Sequence, residues 1–411
     1  MLQVGLPRAV LAGSFTLLIA MGLLASSYGP LLPAIQDRFS VSAFETGVLV
    51  STLPAGSIFA ILGCAWLQHR VSTRLLLQAS SLLLVGGLIG LALAPWWELL
   101  LVGGVAIGLG YGGATTLANG VIAAAYARRR ATFLLNLQNG IFGLGAVVGP
   151  VCVTLLPDGS GRLAWLGYAV LAVAAAVLFA ALPLTSLASP DRVDSGRNPS
   201  QPACSGGFDV NRQATRSGRL VGFGFLFACF IAVEISTAAW ATTHLDAGGS
   251  SVSAVALATS LFYAGLATGR LGAAVLGLRI DPGPLLAGST ILATLMLTLT
   301  YLAPCGGVGY VLAGIAIGPV FPTGLAWVSL DQQHARHPIA TVLVAGNAGG
   351  MVLPPVVGAV IGTVGAQAAP LPIAVTCALG AVVAVLLARG TPAPRTASSA
   401  SASASAGQGN Y

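Results

Sequence analysis

Charged side chains are scarce in this sequence, and lysine is absent. Asp, Glu, Lys and Arg make up 7% of the 411 residues, and all 18 basic residues are arginines. Soluble domains average roughly 25% charged residues. The chain therefore cannot cover a water-facing surface, which excludes a soluble enzyme. Its 56% of apolar residues excludes intrinsic disorder over most of its length.

Signatures of catalysis and of metal binding are missing as well. The sequence has no HExxH or GxSxG motif, no Walker loop and no pair of acidic residues within its apolar runs. Its six cysteines form no CxxC pair and have no histidine at ligand spacing, which argues against a disulfide framework or a zinc site. We therefore expect no enzyme activity, no metal and no cofactor. The cysteines are Cys64, Cys152, Cys204, Cys229, Cys305 and Cys377.

Long apolar runs occupy most of the chain. Runs of about 20–25 residues have the length that crosses a bilayer core of about 30 Å as a helix. The 54 glycines let such helices approach closely. The first run follows Arg8 and is interpreted as a retained helix rather than a signal peptide. The twelve predicted spans are 10–35, 43–66, 74–94, 97–126, 131–156, 163–184, 219–244, 252–278, 285–303, 307–329, 339–363 and 370–388.

The arginines are distributed unevenly between the two sides of these spans. Arg38 and Arg162 fall in loops on one side, Arg270 lies within a span, and the other fifteen fall on the side that holds both termini. Because cytoplasmic loops carry the excess of basic residues, we expect both termini in the cytoplasm and the protein in the cytoplasmic (inner) membrane. This placement explains the pI of about 9.4 without a nucleic-acid partner. The fifteen are Arg8, Arg70, Arg74, Arg128, Arg129, Arg130, Arg192, Arg197, Arg212, Arg216, Arg219, Arg279, Arg336, Arg389 and Arg395.

Two polar segments divide the chain. Residues 185–218 are rich in Pro, Ser, Gly and Arg, and residues 390–411 end in a Ser- and Ala-rich stretch that cannot bury a core. We predict a six-helix bundle over 1–184, a cytoplasmic linker over 185–218, a second six-helix bundle over 219–389 and a disordered cytoplasmic tail over 390–411. The predicted fold class is an all-α membrane protein with twelve transmembrane helices in two bundles.

The two halves also resemble each other in sequence. Three matches occur in the same order at offsets of 205–210 residues, which indicates a duplicated six-helix unit. Parallel repeats of this kind form alternating-access transporters, whose site lies between the halves near the bilayer midplane. The matches are Gly104-Val-Ala-Ile-Gly108 with Gly314-Ile-Ala-Ile-Gly318, Ala55-Gly56 and Leu62-Gly63 with Ala264-Gly265 and Leu271-Gly272, and Gly145 and Gly149-Pro150 with Gly350 and Pro354-Pro355.

The loop between spans two and three carries a family motif. Its pattern G-x-x-x-D-R-x-G-x-R corresponds here to Ala65–Arg74, in which Arg70 and Arg74 match and His69 replaces the acid. With the span pattern, this loop makes the sequence similar to the major facilitator superfamily of transporters. The resemblance covers nearly every span and implies alternating access between two six-helix bundles.

Within that superfamily the chain resembles the fucose/galactose–proton symporter branch of sugar permeases. Span seven has the V-E-x-S-x-x-x-W pattern with Glu234 and Trp240, and span eight has a G-L-x-x-G-R pattern that ends at Arg270. Span five is similar over Asn136–Gly145, and span eleven over Gly346–Pro355. The resemblance implies proton-coupled uptake of a sugar.

Two charges lie inside the predicted spans. Glu234 is in the middle of span seven and Arg270 in the inner third of span eight. A charge in lipid costs a few kcal/mol or more, so each of these two residues must have a structural or functional role. In one interpretation Glu234 carries the coupling proton, and Arg270 is a charge partner or part of a gate. In the other, the two form a static pair that fixes the two helices together, and for Arg270 we favour this role.

Several polar residues share one predicted depth. Asn119, Asn139, Arg270 and Asn347 each lie about eight residues from the cytoplasmic end of a span, or ~12 Å deep. Asn136 is on the same face of its helix as Asn139, whereas Gln138 points elsewhere. We interpret the asparagines as candidate substrate-binding residues or an inner gate. Hydrogen bonds between helices are the alternative.

Aromatic and outer polar residues complete the candidates. Trp240 and Tyr263 could stack on a sugar ring, although an interfacial aromatic belt explains Trp240 equally well. His244 is expected to be solvated at the outer face. Seven prolines within spans should kink or break their helices. These are Pro30, Pro54, Pro150, Pro319, Pro322, Pro354 and Pro355.

Two transport hypotheses follow. The first is a proton-coupled symporter of a sugar-like solute, monomeric in the lipid bilayer. The second is a proton-antiport exporter of drugs or secondary metabolites, which the Gly145-x-x-x-Gly149-Pro150 run of span five favours. Sugar sites need more amides and acids than drug pockets do, and this chain has only a few.

Overall fold

The computed structural model describes residues 7–156, 161–182, 210–250, 252–302, 307–332, 335 and 338–390. Regular structure in these residues is entirely helical, as the sequence predicts. The helices are α1 (Arg8–Phe39), α2 (Ala43–Leu67), α3 (Thr73–Leu93), α4 (Trp97–Ala125), α5 (Arg128–Leu155), α6 (Arg162–Phe179), α7 (Val210–Ala247), α8 (Val252–Leu276), α9 (Pro282–Leu302), α10 (Gly307–Ile317), α11 (Val320–Asp331), α12 (Pro338–Val364), a 3-10 helix (Ala366–Ala368) and α13 (Pro370–Arg389).

The helices match the predicted spans. Eleven helical segments of the described chain are long and apolar enough to cross a bilayer, and α8 has the 25-residue length for a twelfth crossing. α7 begins at Val210, so the end of the segment predicted as a linker is helical. The remaining predicted linker residues, 185–209, and the tail from residue 391 lie outside the described residues.

The tenth crossing consists of two helices, α10 and α11. The helix is interrupted at Gly318 and Pro319, where the proline ring removes a backbone donor. The prediction of a break is confirmed at this position. At Pro30, Pro54 and Pro150 the helix continues through the proline.

Equivalent glycines pack the two halves in the same way. Gly56 of α2 lies against the backbone of Val105 in α4, and its repeat partner Gly265 of α8 lies against the backbone of Val311 in α10. A Cβ at either glycine would collide with backbone atoms, so only glycine permits this approach. The shared packing supports the duplication seen in the sequence.

The two sets of six crossings meet closely at one face of the membrane domain. We call the face at which α1 begins and α13 ends the terminal face. On the opposite face, Gly47 of α2 lies against Pro354 and Pro355 of α12, and a Cβ at Gly47 would stand 2.5 Å from the Pro355 Cα. Gly29 of α1 lies against the backbone of Ala238 in α7. We call this contact region, in which the two halves meet on the face opposite the termini, the closed seam.

A part-buried ion pair links three helices at the terminal face. The Arg219 guanidinium at the start of the seventh crossing donates to both carboxylate oxygens of Asp331, with an Nη2–Oδ1 distance of 2.6 Å. Arg219 Nη1 also donates to the Leu387 carbonyl at 3.2 Å. The pair therefore links α7, α11 and α13, and the sequence analysis assigned Arg219 only a topological role.

Removing the carboxylate of this pair should destabilise the protein. Asp331→Ala removes the carboxylate to which Arg219 donates three hydrogen bonds. Because the two side chains are 15% and 14% exposed, we expect a cost below the ~3–5 kcal/mol of a fully buried pair. We expect the apparent melting midpoint in detergent to fall by about 2–4 °C per kcal/mol lost. Glu98→Ala is the matched control, because Glu98 is exposed at the start of α4. Equal midpoints for the two variants would show that the pair contributes nothing to stability.

Candidate functional site

Glu234 and Arg270 form an ion pair inside the helical domain. Arg270 Nη2 of α8 lies 3.6 Å from Glu234 Oε1 of α7. The side chains are 22% and 17% exposed, respectively, so the pair is shielded but still reached by solvent.

Two tyrosines from different halves flank the pair. The hydroxyls of Tyr111 in α4 and Tyr263 in α8 interact electrostatically with both Glu234 and Arg270, and with each other. The Tyr111 ring packs edge-on against Phe142 of α5, with 6.4 Å between ring centroids. The sequence analysis missed Tyr111, although its position in the middle of α4, a depth similar to that of Glu234, was available as a signal.

The three asparagines of the predicted polar layer make no bonds between helices among the described residues. Asn139 donates to the Leu135 carbonyl and Asn347 to the Leu343 carbonyl, each one turn back on its own helix. Asn119 and Asn139 are exposed. The alternative of bonds between helices therefore loses support, and substrate binding stays a prediction for these residues. The side chain of Asn136 lies outside the described residues.

Gln138 differs from its neighbour Asn139. Its side chain is 1% exposed, and neither its amide nitrogen nor its amide oxygen has a hydrogen-bond partner in the described structure. It lies on the helix face that continues through Phe142 and Gly145 toward α1. A buried amide without partners is costly, and the sequence analysis did not single it out.

Neither aromatic candidate presents an open face in this conformation. Trp240 is fully buried, and its indole Nε1 donates to the Pro354 carbonyl at 3.2 Å. Tyr263 is 5% exposed and packs against Phe262. His244, expected to be solvated, is 6% exposed and packs edge-on against Tyr310, so that expectation was wrong. The reason is that α10 covers the outer end of α7 at this position.

The arginines of the inner-loop motif lie at the terminal face. Arg70 is exposed and stacks over the Trp66 ring at 4.2 Å from its centroid. Arg74 Nη1 lies 3.5 Å from the Leu182 carbonyl, just beyond the end of α6. Arg74 therefore stabilises a helix end through the carbonyl, without the acid that the motif usually contains.

The architecture and this site define a membrane transporter. Helices with a duplicated packing pattern surround a shielded charged pair, and the two halves are in close contact at the closed seam. Among the described residues no cluster of three or more metal-ligating side chains occurs. Charged and hydroxyl side chains from both halves of the chain therefore meet in the interior of the helical domain.

The chain belongs to the Major Facilitator Superfamily, whose sequence profile matches residues 14–337. Solved structures of transporters share its fold. The E. coli fucose–proton symporter FucP is 18% identical, with a TM-score of 0.60 over 92% of this chain and 98% of that chain. The D-xylose–proton symporter is 14% identical, with a TM-score of 0.70 over 93% and 97%. The nucleoside transporter NupG is 14% identical, with a TM-score of 0.68 over 93% and 99%.

No curated protein sequence matches this one significantly. At 14–18% identity the structural likenesses establish the fold alone. The chain is therefore a multi-pass membrane protein with the transporter fold of its superfamily, and its solute must be argued from its own residues.

Proposed function

We propose that this protein is a proton-coupled symporter of a small sugar-like solute in the cytoplasmic membrane. It works by alternating access between its two six-helix halves, residues 1–184 and 219–389. Glu234 carries the proton, and Arg270, Tyr111 and Tyr263 surround the solute together with the exposed asparagines.

The position of Glu234 carries this proposal. Among the described acidic residues it alone lies far from a helix end. A carboxyl group at this depth has few roles other than pairing or proton transfer. Its 3.6 Å contact with Arg270 is loose, so the pair can open when the acid is protonated. Among the solved structures that share the fold, FucP and the D-xylose transporter are proton symporters by name.

An antiport exporter is the second candidate. The Gly145-x-x-x-Gly149-Pro150 run of α5 favours it, because the run is similar to the antiporter motif of that helix. Both glycines pack directly on the α1 backbone at Ile19 and Leu23. Uptake into proteoliposomes separates the two. A symporter accumulates solute when the outside is the more acidic side, whereas an antiporter accumulates it when the inside is. Sugars and lipophilic cations are the solutes to screen.

Cysteine labelling tests the orientation. If the termini are cytoplasmic, an impermeant maleimide added to intact cells should not label a variant whose only cysteine is Cys204, in the linker after α6. The variant that retains only Cys305, in the loop between α9 and α10, should be labelled. Both residues lie outside the described structure, and their sides follow from the number of crossings. Labelling of Cys204 without permeabilisation would invert the topology.

A further inference from the structure

Arg270 is a guanidinium whose donors are not used. It donates no hydrogen bond within the described residues, and its Nε is buried without a partner. Arg219, in the same half, donates three bonds to Asp331 and one to Leu387. A guanidinium has five N–H donors, and a donor that is buried without a partner, as the Arg270 Nε is, costs free energy. Unlike Arg219, therefore, Arg270 is placed to bind something that the chain itself does not supply.

Glu234 does not fill that role. At 3.6 Å from Arg270 Nη2, its Oε1 is too far away for a hydrogen bond. The carboxylate therefore does not pair with two parallel N–H donors of the guanidinium. A guanidinium binds carboxylates through two parallel N–H···O bonds. A neutral hydroxyl group can also accept from a guanidinium, but it carries no charge, and a hydrogen bond between two ionised groups is roughly twice as strong as a neutral one. The Arg270 fork therefore favours an anionic oxygen pair over a sugar hydroxyl.

The charges around the pair leave room for one anion. Tyr111 from α4 and Tyr263 from α8 are the other titratable groups that interact with the pair, and both are hydroxyls that can donate to an anion. Among the described residues, Arg270 is the charged group that acts on the Glu234 carboxylate. When Glu234 takes up a proton, Arg270 is left with one uncompensated positive charge.

We propose that the transported solute carries a carboxylate, which binds the Arg270 guanidinium while Glu234 carries the proton. The solute class is a small hydroxylated carboxylate, a sugar acid rather than a neutral sugar. This inference rests on the proposed proton symport. One anion and one proton then cross together, so that transport moves no net charge.

A matched pair of probes tests the proposal. D-glucuronate and D-glucose have the same ring, but D-glucuronate carries a carboxylate where D-glucose carries a hydroxymethyl group. In proteoliposomes with an acidic exterior we expect D-glucuronate to accumulate and D-glucose to enter at least about tenfold more slowly, a ratio within the range of hydrogen bonds to charged groups. A potassium diffusion potential set with valinomycin should not change D-glucuronate uptake, because the cycle is electroneutral.

Three outcomes would contradict the proposal in distinguishable ways. Gradient-driven accumulation of D-glucose without D-glucuronate would refute the carboxylate and leave proton symport intact. Accumulation of neither probe under either gradient direction would count against both the carboxylate solute and proton symport. Uptake of D-glucuronate that follows the membrane potential would contradict the one-to-one charge balance.

Substitution of Arg270 tests whether its paired N–H donors cause the preference for D-glucuronate. Arg270→Lys retains the positive charge but not the paired donors, so we expect the preference for D-glucuronate over D-glucose to fall about tenfold or more. Arg279→Lys, at an exposed position beyond the end of α8, is the control and should keep the preference. An unchanged preference in a folded, monodisperse Arg270→Lys protein would show that Arg270 does not bind the solute.

Discussion

Glu234→Gln is expected to abolish accumulation driven by a pH gradient while leaving solute exchange between equal pools partly intact. Glutamine preserves the volume and the hydrogen-bonding capacity of the side chain but cannot ionise. Exchange requires no net proton movement, so it needs only that the two halves rock with solute bound. Radiolabelled uptake and counterflow in the same proteoliposomes measure the two activities separately.

A structural role for Glu234 gives a different pattern. If Glu234 only pairs with Arg270, its neutralisation leaves the Arg270 charge without a partner and lowers the folded yield. Gradient-driven accumulation and exchange then fall together. Asp246→Asn is the matched control, since Asp246 is an exposed acid at the other end of the same helix. Normal accumulation in a well-folded Glu234→Gln protein would exclude Glu234 as the proton carrier.

Gly47→Leu is expected to abolish both net uptake and exchange by keeping the closed seam open. A Cβ at this position would lie 2.5 Å from the Pro355 Cα and 2.6 Å from the Pro354 carbonyl oxygen, and backbone atoms cannot yield as a flexible side chain can. Overpacking of this kind costs about 1–3 kcal/mol, which the state with an open seam avoids. The variant should therefore remain open to the face opposite the termini.

The expected block depends on position rather than on the loss of a glycine. Gly63→Leu, on the same helix, places its Cβ where no atom lies within 4 Å and should transport normally. Thiol labelling of a cysteine introduced beside the seam would report whether Gly47→Leu holds it open. If Gly47→Leu retains wild-type exchange, closure of the seam is not required for transport.

The crossings could be predicted because each depends on local properties of the chain. A run of apolar residues of sufficient length makes a helix in a bilayer wherever it occurs. The break in the tenth crossing was predictable for a similar reason, because Gly318 precedes Pro319 and Pro322 follows one turn later. At Pro30 the helix is not broken and continues through the proline.

The site was only partly predictable, because its contacts depend on the direction in which side chains point. Counting residues gives the depth of Asn139 and Gln138, but they lie about 100° apart on the helix. The exposed Asn139 was predicted as a site residue, whereas the buried Gln138, whose amide has no partner among the described residues, was not. Tyr111 approaches Glu234 from the other half of the chain, and no local pattern contains that contact.

The Arg219–Asp331 pair shows the same limit in another form. An acid at the end of a predicted span is ordinarily solvated, so the sequence did not predict a structural role for Asp331. Its burial follows from the convergence of α7, α11 and α13, which are distant in sequence. The Glu234–Arg270 pair was easier to anticipate, because each residue is an isolated charge within an apolar run.

The most direct test of proton-coupled transport is the internal pH of proteoliposomes during solute entry. A pH-sensitive dye inside the vesicles, initially at equal pH across the membrane, should report acidification that begins when a transported solute is added and that the Glu234→Gln variant lacks. The amount of proton that enters should scale with the amount of solute. Solute entry into wild-type vesicles at constant internal pH would contradict the account.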